Sequence, residues 1–351
     1  MSADGIRLFP AGNEDRKPER GLCRKRTANS GVLFTKKGKS MELKDMKKVL
    51  ILGAGTMGQQ IGYVCAMHGY NVTLYDISED ILKASLTRME KLGLSFFVPI
   101  GRITAQQHAE IMSRVTTTSD PAKAAAEADI INESVPEDPR LKAKVFAQFN
   151  ELCPERTIFT TNASLLMPSK FAEATGRPKR FLALHFHDLR VNNVVDVMPH
   201  PGTDPAVAEL VYDFATSIGQ IAIRLKRESS GYVFNAMLSN LFLTAMTLVT
   251  TGVASIEDVD RAWMGTTHMP MGPFGLMDQT GLKTVWSILN NWASNPQDAK
   301  DINLDHVRLN ADFVKQYVEK GELGAKTKKG FYSYPTPVYA QPGFLSGKDK
   351  K

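Results

Sequence analysis

Lys48-Val49-Leu50-Ile51-Leu52-Gly53-Ala54-Gly55-Thr56-Met57-Gly58 is the stretch whose reading decides the fold. An apolar run of strand character ends in a G-x-G-x-x-G loop, and residues 56–68 continue as a helix. A second β-rich run, 71–75, then ends in Asp76. Three glycines at that spacing arise by chance; a strand before, a helix after and an acid at the close of the next strand do not. Gly53 permits the tight turn, Gly55 lets a pyrophosphate approach the backbone, and Gly58 lets helix and strand pack closely. The phosphates then meet the first N–H groups of the helix, at Thr56, Met57 and Gly58. Asp76 suits the ribose hydroxyls and repels a 2′-phosphate, and no Arg or Lys directly follows it, which favours NAD over NADP. An FAD site shares the fingerprint and is the alternative.

Outward from this unit, strands and helices alternate. Strand runs are expected at 128–132, 157–161, 181–186, 194–198 and 220–225, with helices at 81–94, 141–152 and 205–218. That alternation predicts a Rossmann-type, doubly wound, mostly parallel sheet. Beyond residue 230 the pattern turns helical, at 235–249, 256–264, 275–291 and 307–320. The expected organisation is a disordered extension over 1–40, a Rossmann domain over 41–228, a smaller all-helical domain over 229–335 for substrate and dimerisation, and a loose tail over 336–351.

Composition narrows the function classes. The 351 residues carry a net charge of +6, with 43 basic and 37 acidic side chains. Ten of the basic and four of the acidic residues fall within 1–40, so the remainder balances at 33 of each sign. A nucleic-acid partner is not indicated. The three cysteines, Cys23, Cys65 and Cys153, lack metal-type spacing and read as reduced thiols of a cytoplasmic protein. No apolar run approaches the roughly 20 residues that span a bilayer. Residues 1–40 lack the apolar core of a secretory signal and carry acids that argue against an import peptide. Met41, just before the first strand, is a candidate natural start.

In order along the chain, GAGTMG (53–58), ESVPED (133–138), TNAS (161–164), LHF (184–186), SGYVFN (230–235), MGPFGLMDQTGL (271–282) and KTKKGFYSY (326–334) resemble the 3-hydroxyacyl-CoA dehydrogenase family. The resemblance spans about 47–334 and is closest in kind to the 3-hydroxybutyryl-CoA type. It implies NAD-dependent oxidation of the 3-hydroxyl of a short (S)-3-hydroxyacyl-CoA, in either direction. Removing a hydroxyl proton as hydride leaves requires a base near neutral pH, which histidine supplies. The resemblance gives His185 that role and places Asp196 where the family has an assisting glutamate. Asp196 is one methylene shorter, and the loop before it is one residue shorter. Ser164 and Asn235 match positions that hydrogen-bond the reacting oxygens; Glu137, Lys142 and Lys326 match positions near the nicotinamide half of NAD. A homodimer is implied as well.

Two departures stand out. The family continues after LHF with Phe-Asn-Pro, whereas this chain has His187-Asp188-Leu189. Asp188 thus replaces an NAD-contacting asparagine, and His185-x-His187 is a metal-type spacing with no evident third ligand; hydride transfer needs none, so no metal is expected. Cations for CoA phosphates are offered by Lys83, Arg88 and Lys91, which fit a solvated helix face equally well. The alternatives are a dehydrogenase of a free hydroxy acid, of the L-gulonate or carnitine type, and a catalytically silent NAD-binding protein.

Overall fold

The computed structural model describes residues 41–164, 166–295 and 303–347. The expectations for 1–40, Cys23 among them, lie outside the described residues. Eight strands form one sheet in the order β3-β2-β1-β4-β5-β6-β7-β8: β1 (Lys48–Leu52), β2 (Asn71–Tyr75), β3 (Val115–Thr118), β4 (Ile130–Glu133), β5 (Ile158–Thr161), β6 (Phe181–Phe186), β7 (Val194–Pro199) and β8 (Ile221–Arg224). The first six run parallel; β7 is antiparallel to β6, and β8 parallel to β7.

Helices cover both faces. On one, α1 (Thr56–Met67), α2 (Glu79–Leu92), α3 (Ala105–Met112) and α6 (Pro205–Ser217) pack on a core that includes Val49, Ile51, Leu74, Leu184 and Phe214. On the other, α4 (Pro121–Ala125) and α5 (Pro139–Leu152) enclose Leu50, Leu52, Ile131, Phe146, Phe149 and Phe159. Side chains of β1 alternate between these two cores, so the strand is buried on both faces, as parallel strands usually are. Among the helices packed on the sheet, five begin on an Asp cap followed by Pro or on a Ser or Thr cap: Ser78, Thr104, Asp120, Asp138 and Asp204 each accept from the first-turn backbone, which satisfies N–H groups the helix itself cannot.

The helical part comprises α7 (Phe234–Thr250), α8 (Ile256–Thr267), α9 (Pro273–Thr280), α10 (Leu282–Ser294) and α11 (Leu304–Glu319), around Phe242, Met246, Phe274, Met277, Leu289 and Val314. Asp260 of α8 is fully buried and accepts from the Phe274 and Gly275 amides at 2.8 and 3.0 Å, capping α9 from a neighbouring helix. Burial is the main reason its carboxyl is pushed up to about 6. Among the described residues no helix is long and apolar enough to cross a membrane.

Three expectations need correction. The strand β3 and helices α3 and α4 were not foreseen: β3 is Val-Thr-Thr-Thr at the sheet edge, too polar to register as a strand by hydrophobic pattern. The single helix expected at 275–291 is two, broken at Gly281 with φ +97°. The tail is not loose over its described part. Tyr339 and Phe344 are 7% and 1% exposed within the helical core, and Arg261 donates from Nε to the Phe344 carbonyl.

Candidate active site

The strand order reverses between β1 and β4, where a doubly wound sheet opens its ligand crevice. Gly53 leaves β1 at φ +97°, and a Cβ there would stand 2.7 Å from the Ser134 carbonyl oxygen. At Gly58 a Cβ would meet the Gly53 oxygen at 1.9 Å, so any side chain would lift α1 off β1. Gly55 differs: nothing of the protein lies within 4 Å of where its Cβ would point. That open space lies at the start of α1, whose N-cap is Gly55 and whose first turn receives no side-chain cap. A pyrophosphate fits there, on the N–H groups of Thr56, Met57 and Gly58 and the positive end of the helix. Asp76 accepts from the Ala54 amide at 2.9 Å through one oxygen, and its other oxygen, 3.4 Å from the Ser78 amide, is only weakly engaged. Arg88 is exposed on its helix face, yet its side chain reaches back to the loop. Its Nε donates to Gln59 at 2.6 Å and its Nη2 to the Ala54 carbonyl at 3.2 Å, which brings a cation against the loop.

The second centre forms at the carboxyl end of β6. Antiparallel pairing sets His185 directly opposite Asp196 of β7, with Nδ1 to Oδ2 at 3.2 Å. His187, just past the strand, reaches the same oxygen through Nε2 at 3.3 Å. Asp196 is fully buried, and its Oδ1 has no partner among the described residues. Burial pushes the Asp196 carboxyl up, but hydrogen bonds from the two imidazoles outweigh it and leave it below the usual carboxylate range. Burial pulls His185 below its ordinary value, more than the Asp196 carboxylate raises it. The two directions agree: near neutral pH the pair is a neutral imidazole facing a carboxylate. The Nδ1 proton is held by Asp196, and no described residue hydrogen-bonds Nε2. Tyr232 stacks flat on the His185 ring, centroids 4.4 Å apart and planes 5° apart. Its hydroxyl donates to the Ala163 carbonyl. Phe234 stands edge-on to His187 at 5.6 Å.

A polar network joins the two centres through the β4 end. Lys142 of α5 is 1% exposed; its ammonium donates to Glu133 at 2.7 Å and to the Val135 carbonyl at 3.1 Å, and lies 3.3 Å from Glu137. Thr161 donates to the other Glu133 oxygen at 2.7 Å. Glu137 accepts from the Ser164 amide at 3.0 Å and so holds the loop that presents the Ser164 side chain. Ser164 and Asn235 line one cavity of about 360 Å³ with Leu238, Phe242, Val285 and Trp292. Every side chain named on its wall is neutral.

The structure therefore brings together His185, Asp196, Tyr232 and, through the 163–164 backbone, Ser164, Glu137 and Lys142. It does so less directly for others. Lys142 has its ammonium against oxygens of Glu133, Val135 and Glu137. Lys326 is exposed on a turn beside α9, and among the described residues no contact ties it to the centre. Asp188 faces Arg190, whose Nε donates to both carboxylate oxygens at 2.9 and 3.1 Å. Lys83 and Lys91 are exposed. In the sequence Arg88 shows only as a helix-face cation and Tyr232 only as a member of SGYVFN, and the bond from His187 to Asp196 has no signal beyond the His-x-His spacing.

These features define a dinucleotide-dependent oxidoreductase with a histidine–carboxylate pair. The NAD-binding domain model of 3-hydroxyacyl-CoA dehydrogenase matches residues 48–229, and the C-terminal domain model of the same enzyme matches 231–334. The mitochondrial hydroxyacyl-coenzyme A dehydrogenase of Homo sapiens is 31% identical over 298 residues, covering 82% of this chain and 91% of that protein. Among solved structures, a diketoreductase studied for dual catalysis of dicarbonyl compounds is 37% identical with a TM-score of 0.75, covering 82% of this chain and 99% of that one. The (S)-3-hydroxybutyryl-CoA dehydrogenase of Ralstonia eutropha is 27% identical with a TM-score of 0.74, covering 83% and 100%. This chain belongs to the 3-hydroxyacyl-CoA dehydrogenase family; it is an NAD-dependent oxidoreductase.

Proposed function

We propose that the protein oxidises the 3-hydroxyl of a short-chain (S)-3-hydroxyacyl-CoA, and reduces the corresponding 3-oxoacyl-CoA, with His185 as general base and acid. The observation that carries this is the buried His185–Asp196 pair, Nδ1 to Oδ2 at 3.2 Å, with no partner for Nε2 among the described residues. Bound NAD supplies the hydride acceptor. Nε2 takes the hydroxyl proton, and the imidazolium so formed is stabilised by the buried Asp196 carboxylate. Ser164 and Asn235 hold the reacting oxygens at the mouth of the neutral cavity, whose apolar wall suits an acyl chain. Glu137, held by Lys142, fixes the Ser164 loop. The flat Tyr232 ring limits the rotation of His185 and keeps water off one face of it. The glycine loop, Asp76 and Arg88 orient the dinucleotide; Lys326 is assigned to its nicotinamide half by the family resemblance alone. The chain works as a homodimer through the exposed apolar face of α7.

A second reading has one observation in its favour, the 37% identity to a diketoreductase: the acceptor is a free hydroxy acid or dicarbonyl compound. A neutral cavity wall speaks against a permanently charged substrate such as L-gulonate or carnitine, which would bury an unpaired ion. The test is NADH formation with (S)-3-hydroxybutyryl-CoA, free 3-hydroxybutyrate, L-gulonate and carnitine, together with NADH consumption on a 3,5-diketo ester. The expected order places the acyl-CoA first by at least an order of magnitude in kcat/KM. Turnover of the diketo ester but not of the acyl-CoA establishes the second reading. Full activity in His185→Gln would remove the general-base assignment under either.

A further inference from the structure

The sequence shows a His-x-His spacing and no third ligand; the fold supplies one. Pairing of β6 with β7 brings Asp196 to both histidines, so that one ligand atom from each of His185, His187 and Asp196 lies within 4.8 Å of the other two. The two nitrogen-to-oxygen separations are 3.2 and 3.3 Å. Tetrahedral coordination at Zn–N and Zn–O bond lengths near 2.0–2.1 Å places neighbouring ligand atoms about 3.3 Å apart. Both nitrogen-to-oxygen edges therefore already have the length such a site requires. A second observation points the same way: the Asp196 carboxylate is fully buried, yet Oδ1 has no partner among the described residues and both imidazoles crowd on Oδ2. His187 remains partly open, its side chain 13% exposed, and supplies a way in. Two imidazoles with one carboxylate suit a divalent transition metal of the zinc class rather than Mg²⁺ or Ca²⁺, which require a shell of oxygens.

We propose that His185, His187 and Asp196 form a binding site for a divalent transition-metal ion that switches the dehydrogenase off. The inhibitory half rests on His185 being the general base; the binding half does not. The ion takes the Nδ1 lone pair of His185, the Nε2 lone pair of His187 and the Asp196 carboxylate, with water in the remaining position. A metal-bound Nδ1 has no proton, so the ring proton of neutral His185 moves to Nε2. Nε2 then has no lone pair with which to accept the substrate proton. The proton of a neutral His187 ring moves likewise from Nε2, which faces Asp196, to Nδ1; no electron is transferred, both ring protons stay on their imidazoles, and the metal takes the place between the two nitrogens and the carboxylate.

The test uses the full chain, with Co²⁺ as the spectroscopic probe and Zn²⁺ as the inhibitor. One equivalent of Co²⁺ is expected to give the visible bands of a tetrahedral nitrogen–oxygen site. In His187→Gln the bands disappear, while NAD still binds, showing that the variant folds. His268→Asn, on the far end of α8, keeps them. Losing an outer-shell partner alone costs roughly 10–100-fold in metal affinity, so His187→Gln should raise the Zn²⁺ concentration for half-inhibition by more than that. Absence of the tetrahedral spectrum, or its persistence in His187→Gln, overturns the site. A tetrahedral spectrum that depends on His187 together with full activity in saturating Zn²⁺ overturns the switch. If no substrate is turned over at all, the spectrum still decides whether the metal binds.

Discussion

Replacing Asp196 by Asn is the sharpest test of the catalytic reading, because the exchange removes a charge and nearly nothing else. An amide oxygen can occupy the Oδ2 position and keep both contacts, at 3.2 Å to His185 and 3.3 Å to His187. What is lost is the attraction between the carboxylate and the imidazolium that forms as the hydroxyl proton arrives. At 3.2 Å and an effective dielectric near 20 that attraction is roughly 5 kcal/mol. The difference between a charged and a neutral hydrogen bond sets the lower bound, about 1–1.5 kcal/mol. The expected fall in kcat/KM therefore lies between about tenfold and a few thousandfold. NAD affinity should not change, since Asp196 is remote from the glycine loop in the fold.

The pH dependence supplies an independent signature. His185 must be neutral to act, and burial lowers its pKa below the ordinary 6.5, so the acidic limb of the wild-type profile is expected below that value. Asp196 raises the His185 pKa against this trend. Its loss should move the limb further toward acid while lowering the plateau. Stability follows the same sign: a histidine whose folded pKa is depressed stabilises the fold above pH 6.5 and loses that contribution as pH falls below it. Steady-state NADH formation across pH, with NAD binding measured separately, gives both quantities. A plateau within threefold of wild type, or a limb displaced toward alkali, would refute the reasoning.

The remaining expectations concern the cofactor loop, the buried pair and the interface. Gly55→Ala should leave thermal stability within about 0.5 kcal/mol of wild type, because nothing meets its Cβ. Its NAD dissociation constant should rise at least about tenfold; unchanged NAD binding would mean the pyrophosphate lies elsewhere. Gly58→Ala should destabilise the fold itself, read as a lower Tm without any ligand, since its Cβ would sit 1.9 Å from a backbone oxygen. Lys142→Met strands Glu133, which is 0% exposed, and should cost roughly 3–5 kcal/mol in denaturant unfolding; adding Glu133→Gln should recover much of it, and a loss below about 1 kcal/mol in the single variant would contradict the pairing. On α7, Met237 and Leu248 are 61% and 37% exposed. Changing both to Glu should convert a sedimenting dimer to monomer, whereas a wild-type chain that already sediments as monomer removes the dimer proposal.

What the sequence made legible was whatever a single residue type must satisfy alone. The loop glycines are dictated by backbone room at Gly53 and Gly58, and Asp76 stands at the end of the next strand, where it accepts from the Ala54 amide, so local pattern suffices. The strands at 71–75 and 181–186 coincide with β2 and β6 because the first is rich in β-favouring residues and the second is a nearly continuous apolar run. His185 opposite Asp196 required a register, and the antiparallel turn between β6 and β7 that sets it is not encoded in either strand alone. Arg88 is a surface cation, as its helical spacing indicates, but that spacing does not report how far a long side chain reaches back to the loop. Tyr339 and Phe344 lay in a polar, Pro- and Gly-containing tail whose composition suggested no packing. Their burial depends on a surface built by α8 and α9 far earlier in the chain.

Tyr232 connects these scales. It is a non-glycine residue at φ +54°, between the last strand and the first helix of the helical part, a backbone region that bulky side chains seldom occupy. Its ring lies flat on His185 and its hydroxyl on the Ala163 carbonyl, one residue from Ser164. The joint between sheet and helices is thus also a wall of the reaction centre. A rotation of the helices about that joint would draw the ring across the imidazole and pull on the Ser164 loop together. Cleft opening and base readiness would then be one motion, with Tyr232 as its axle.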